Sequence, residues 1–278
     1  MITTFLTVLA LIAFAANSIF ARLALGDLSI DPASYTTVRL VTGAATLWLI
    51  ANFRQANKPA SYDGGWSSAA MLFLYATTFS FAYISLTTGT GALILFASVQ
   101  ITMIAVGLYA GERPSALHWL GLVIAIAGLT YLVSPGVAAP SALGSLLMGT
   151  AGVAWGVYSL LGRGVSNPVH ATAKNFLRSV PLALVILIFS SSSWALTAEG
   201  FLWAALSGSI TSALGYVIWY AALRGLSATL AATVQLSVPA IAALGGGVFL
   251  SEQITLRLIL SGAVILAGVG LAICSQKK

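Results

Sequence analysis

Charge is what this chain has least of. Charged residues make up 6% of its 278 positions, where a soluble domain carries roughly 25%. So little polar surface excludes a chain that faces water on every side. With 59% hydrophobic residues, the solvent that fits is lipid. Cysteine is nearly missing as well. Cys274 stands alone, which excludes an internal disulfide and a cysteine-built metal site. No Gly-x-x-x-x-Gly-Lys-Ser/Thr phosphate loop occurs, which argues against direct ATP drive. No His-Glu-x-x-His zinc motif occurs either. His118 and His170 fall at segment ends, so no histidine is placed to serve an intramembrane Ser–His protease. The six acids are Asp27, Asp31, Asp63, Glu112, Glu199 and Glu252, and all lie at segment ends or in loops. No carboxylate therefore stands at mid-membrane, where proton relays place one, and facilitated transport is the simpler expectation. No cofactor is implied. The net charge of +6 comes from lysines and arginines scattered through short loops, a topology signal and not a nucleic-acid footprint.

What is present is a series of apolar runs, at roughly 3–25, 33–53, 67–87, 90–110, 116–134, 143–161, 173–190, 200–222, 228–250 and 256–274. Each is near the ~20 residues a spanning helix needs. Turn formers separate them, among them Asp31-Pro32, Lys58-Pro59, Ser134-Pro135-Gly136 and Asn167-Pro168. The start, Met1 to Phe5, has no positive n-region, and its apolar run to about Leu25 is too long for a signal core. It reads as a retained first helix. Ten crossings place both termini on one side. With that side cytoplasmic, Arg54, Lys58, Arg113, Arg163, Lys174, Arg178, Arg224, Lys277 and Lys278 fall inside, and Arg22, Arg39 and Arg257 outside. Nine of twelve inside fits the positive-inside rule.

The chain also resembles itself. Ala33 to Val41 resembles Thr172 to Val180, Gly111 to Ser115 resembles Ser251 to Thr255, and Ala127 to Leu129 resembles Ala267 to Val269, all at offsets of 139–140 residues. A duplication of that period divides the chain into five-helix halves, 1–138 and 139–278. An odd helix count inserts the second half upside down. Inverted-topology repeats of this kind are a signature of secondary transporters. The fold expected is thus an all-α integral membrane protein of ten transmembrane helices in two inverted five-helix repeats.

Ala154-Trp155-Gly156-Val157-Tyr158-Ser159-Leu160-Leu161-Gly162-Arg163, the turn Gly111-Glu112-Arg113-Pro114-Ser115, and Leu250-Ser251-Glu252-Gln253-Ile254-Thr255 with Pro239 thirteen residues before Glu252 together resemble the drug/metabolite transporter superfamily, EamA type. Val99 and Asn17 depart from that pattern, where a proline and a tryptophan are usual. The resemblance implies a central cavity, export of small metabolites, amino acids or drugs, and a bacterial inner (plasma) membrane location. The aromatic amino-acid exporter branch is the most similar. Other readings stay open: an exchanger of phosphorylated metabolites or nucleotide sugars, a channel, and an integral membrane enzyme. The sequence assigns no oligomeric state.

A transporter cavity combines an apolar wall with a few polar groups near mid-bilayer. The candidates are Asn17, Ser18, Tyr75, Thr78, Phe79, Tyr83 and Gln100 in the first half, and Trp155, Tyr158, Tyr216, Trp219, Tyr220 and Gln235 in the second. For Asn17 and Gln100, bonding a neighbouring helix competes with lining the cavity. For the aromatics, plain packing competes with contact to an aromatic or apolar substrate. Trp66, Trp119 and Trp194 read as interface-belt residues. Arg39 and Arg178 are related by the repeat. Either they snorkel to headgroups, or they gate the two ends in turn, Arg39 with Glu252 and Arg178 with Glu112. Ser115 and Thr255 read as N-caps, which gives those two glutamates a structural alternative. Gly107 with Gly111 and Gly152 with Gly156 have the spacing of close helix crossings. Pro239 reads as a kink and hinge in the ninth helix.

Overall fold

A computed structural model describes residues 2–53, 65–109, 115–136, 139–162, 165, 167–190, 195–223, 234–235 and 237–274. Ten helical segments follow one another: α1 Ile2–Leu25, α2 Pro32–Phe53, α3 Trp66–Ala82, α4 Thr88–Tyr109, α5 Ala116–Val133, α6 Ala142–Leu161, α7 Pro168–Phe189, α8 over 198–223, α9 Val238–Leu250 and α10 Leu256–Cys274. Among the described residues no strand forms, only a single antiparallel bridge between Ile30 and Leu196. Four of these segments, Ile2–Leu25, Ala142–Leu161, Val169–Phe189 and Ala198–Ala222, are long and apolar enough to cross a membrane on length and composition alone. Side chains such as Phe189, Val248 and Phe249 lie more than two-thirds exposed, the outward apolar surface expected of a bundle solvated by lipid.

The sequence explains where the helices begin. Asp31 Oδ1 accepts from the Ala33 and Ser34 amides at 3.0 and 2.9 Å, capping α2. Asn167 caps α7 from the equivalent place, accepting from His170 N. In both a proline follows the cap, where its missing N–H costs nothing. Thr255 accepts from Leu258 N at 3.2 Å, the N-cap expected of it. Ser115 N-caps by expectation only. Helix α8 is not uniform: Ala198–Leu206 is α-helical, Ser207–Leu214 is π-helical and Gly215–Leu223 is α-helical again. Pro239 stands in the first turn of Val238–Leu250, where its missing N–H costs nothing.

Packing pairs the segments across the chain: α5 with α10, α2 with α7, α4 with α9, α3 with α6, and α1 with α8 and α9. Glycines set the closest approaches. A Cβ on Gly152 would lie 2.5 Å from Leu95 O and from Ser98 Cβ, so α6 meets α4 at the spacing noted in the sequence. Gly111, of the other glycine pair, lies outside the described residues. Gly128 of α5 packs on Ile265 of α10, and Gly268 of α10 packs on Ala125 of α5. Gly43 packs against Phe176, while Thr37 Oγ1 donates to Ala183 O at 3.3 Å.

Candidate functional site

The bundle centre is polar in a way its helices' composition hides. Asn17 projects from the middle of α1 and is 6% exposed. Its Oδ1 accepts from Ser207 Oγ at 2.7 Å and Thr211 Oγ1 at 3.1 Å. That fixes the amide, whose Nδ2 donates to the Tyr75 hydroxyl at 3.3 Å. Arg39 reaches the same hydroxyl: Nη2 donates to Tyr75 Oη at 3.1 Å and Nε to Ser212 Oγ at 3.1 Å. The π-helical stretch of α8 supplies three of these hydroxyls: Ser207 and Thr211, four apart, both donate to Asn17, and Ser212 accepts from Arg39.

Aromatic rings enclose the cluster. Trp155 lies 4.9 Å from Tyr75 and 4.8 Å from Tyr216, centroid to centroid. Phe14 meets Trp155, Tyr216 and Trp219 edge-on. Between these rings lies a cavity of about 20 Å³, lined by Phe14, Asn17, Ser18, Tyr75, Phe79, Leu95, Phe96, Trp155, Thr211 and Tyr216. A water-sized site needs roughly 10–15 Å³. The space is therefore about the size of one or two waters, too small for a metabolite as it stands.

Of the cavity residues expected from sequence, Asn17, Ser18, Tyr75, Phe79, Trp155 and Tyr216 line this space. Tyr158 and Tyr220 line a second, smaller one with Ser68, Thr172 and Asn175. Thr78 turns its hydroxyl back to Leu74 O at 2.8 Å, and Tyr83 donates to Thr88 O at 3.3 Å. Trp219 sits behind Phe14. Gln100 and Gln235 are buried but line neither space. Phe14, Ser207, Thr211 and Ser212 were not anticipated. Serine and threonine in apolar helices ordinarily bond their own backbone, and only their bonds to Asn17 and Arg39 show that these face inward.

The arginines also differ from expectation. Arg39 does not snorkel: it is 1% exposed, and its guanidinium lies 5.1 and 4.9 Å from the Tyr75 and Phe79 ring centroids. Its long stem turns into the bundle because aromatic faces and hydroxyls there receive the cation. Nor does it meet Glu252. That carboxylate pairs with Arg22, Nε to Oε1 at 3.3 Å. Arg22 has no mark in the sequence beyond its place at the end of α1. Its Nη1 also donates to Tyr83 O and Ile84 O at 3.0 and 3.2 Å. Glu252 in turn accepts from Thr88 N at 2.8 and 3.1 Å, a carboxylate at a helix N-terminus. Ser251, at φ 53°, turns the chain back so that Glu252 N donates to Gly246 O, and a Cβ at Gly246 would strike that carboxylate. One end of the bundle is thus laced together by α1, α4 and the ends of α3 and α9. Arg178 is half-buried beside Trp66, 5.9 Å from its ring centroid. Its expected partner Glu112 lies outside the described residues, as does Trp194.

Over 275 residues the chain is 45% identical to an uncharacterized protein of Pseudomonas aeruginosa, covering 99% of this chain and 95% of that one. It is 29% identical over 185 residues to the threonine/homoserine exporter RhtA of Escherichia coli, covering 63% and 60% of the two chains. The uncharacterized transporter YoaV of Bacillus subtilis is 23% identical over 86% of each chain. One solved crystal structure superposes with a TM-score of 0.69 over 99% of both chains at 18% identity, a shared fold. The model of the EamA-like transporter family matches residues 1–134 and 142–274. The chain belongs to the EamA-like transporter family, and with it to the helical membrane transporters.

Proposed function

We propose that this protein is a secondary transporter that exports small metabolites, amino acids with aromatic or apolar side chains among them, across a bacterial inner membrane by alternating access. The observation that carries this reading is the central cavity, whose aromatic wall is drawn from α1, α3, α4, α6 and α8 around a small set of fixed polar groups. Rings offer area to an apolar side chain, and the polar groups fix its orientation. The similarity to a threonine/homoserine exporter favours amino acids as the substrate class.

Alternating access follows from reading 1–138 and 139–278 as inverted repeats. Paired contacts favour that reading. Gly128 on Ile265 and Gly268 on Ala125 are one contact seen twice at an offset of 140 residues. Gly43 on Phe176 and Thr37 on Ala183 repeat in the same way at 139–140. The lysine and arginine distribution puts both termini in the cytoplasm. On that orientation the end laced by Arg22 and Glu252 faces away from the cytoplasm, and Arg22 takes the gating role expected of Arg39. Arg178 remains the candidate for the opposite end.

The test is efflux from proteoliposomes loaded with a panel of radiolabelled amino acids. Efflux of aromatic or apolar amino acids, reduced by unlabelled competitor, is the expected result. Efflux of none by folded, correctly oriented protein would overturn the substrate assignment.

A further inference from the structure

Among the described residues Arg39 is a buried permanent cation with no counter-ion. Guanidinium does not deprotonate in proteins. Enclosing one without an anion costs several kcal/mol. Among the described residues no carboxylate pairs with Arg39. Its polar partners are Ser212 and Tyr75, and Nη1 has none. Tyr35 stands one turn before it on α2, and Tyr216 lines the cavity together with Tyr75. The Tyr35 and Tyr216 hydroxyls are buried and also without a partner.

The surplus is of donors. The Tyr75 oxygen already accepts from Arg39 and from Asn17, so its own proton remains to be given. Accepting from a cation makes that O–H a stronger donor. Tyr75 and Tyr216 both line the cavity. Arg39 stands against Tyr75 and Phe79, which line the cavity, and not on the cavity wall itself; among the described residues this centre holds one fixed positive charge, free donors and no acid, which is complementary to a carboxylate.

We infer that Arg39, with the hydroxyls of Tyr75 and Tyr216, forms a carboxylate-binding subsite, so that the substrates are α-amino acids or other small carboxylates held with the acid toward α2 and the side chain against Trp155 and Phe14. This rests on the transporter reading above and adds the charge class that the site selects. Amines and amides of the same side chain lack the anion that Arg39 needs, and bind more weakly.

The experiment uses the full chain purified in detergent and reads thermal stabilisation by ligand, which follows affinity. The probes are phenylalanine, phenylalaninamide, phenethylamine and 3-phenylpropionate. Phenylalanine and 3-phenylpropionate are expected to stabilise the protein, and the amide and amine to require about tenfold to a hundredfold higher concentration, the difference a charge-assisted hydrogen bond makes. In Arg39→Gln that preference is expected to vanish, and in Arg39→Lys to return in part. Stabilisation by 3-phenylpropionate but not by phenylalanine would keep the carboxylate subsite while removing the amino-acid assignment. Equal stabilisation of the wild-type protein by acid, amide and amine would overturn the subsite and leave the exporter reading standing. Because that comparison is made on the wild-type chain, it holds even if the Arg39 variants fail to fold.

Discussion

Asn17 holds the centre of this molecule together through one amide. It ties α1 to α8 through Ser207 and Thr211, and to α3 through Tyr75. Its depth in an apolar run made it legible in the sequence as a group needing partners. Which partners was not legible, because all three lie on other helices. Asn17→Ala leaves those hydroxyls buried without their partner, and each buried bond lost costs about 1–3 kcal/mol. The melting temperature in detergent is expected to fall, with efflux falling too. Tyr75→Phe separates two roles of one residue. The ring stays against Trp155, while the acceptor for Arg39 and Asn17 goes. Efflux is expected to drop in Tyr75→Phe, and Trp155→Ala is expected to lose it although every hydrogen bond of the cluster remains. Unchanged efflux in both, at normal abundance, would mean that the aromatic wall only packs.

Among helices, most boundaries were readable because caps and prolines mark them: Asp31-Pro32 and Asn167-Pro168 begin α2 and α7 where turn chemistry requires. The π stretch Ser207–Leu214 was not readable, since one extra residue per turn leaves no trace in an apolar composition. Its effect is testable. Ser207→Ala with Thr211→Ala removes both hydroxyls that this stretch gives to Asn17 Oδ1. Efflux is expected to be lost while helix content by circular dichroism is retained. The glycine contacts give a second test. Gly152→Val places a side chain on Leu95 O and Ser98 and is expected to abolish folded yield, whereas Gly270, with nothing within 4 Å, tolerates alanine. Alanine there is expected to leave the melting temperature unchanged or raise it by the equivalent of about 1 kcal/mol at most.

For the whole molecule, composition announced lipid, and the offset of 139–140 residues is the signal from which the two halves are proposed. The ends of the bundle were harder to read. Charge position alone suggested Arg39 for Glu252, yet Arg39 lies inside and Arg22 takes the acid. A sequence gives the turn on which a charge sits but not which way its long stem runs. The claim that this laced end must open and close during transport is the one on which the account depends. Cys274 is exposed at the far end of α10 and is first replaced by serine. Arg22→Cys and Glu252→Cys are then introduced together, and efflux from proteoliposomes is measured before and after a short, reducible thiol cross-linker. The account expects efflux to stop on cross-linking and to return when reductant cleaves the link, with each single cysteine variant unaffected by the reagent. Full efflux through protein shown to be cross-linked would contradict it, because a pathway that runs with this end held shut is not alternating access through the cavity described.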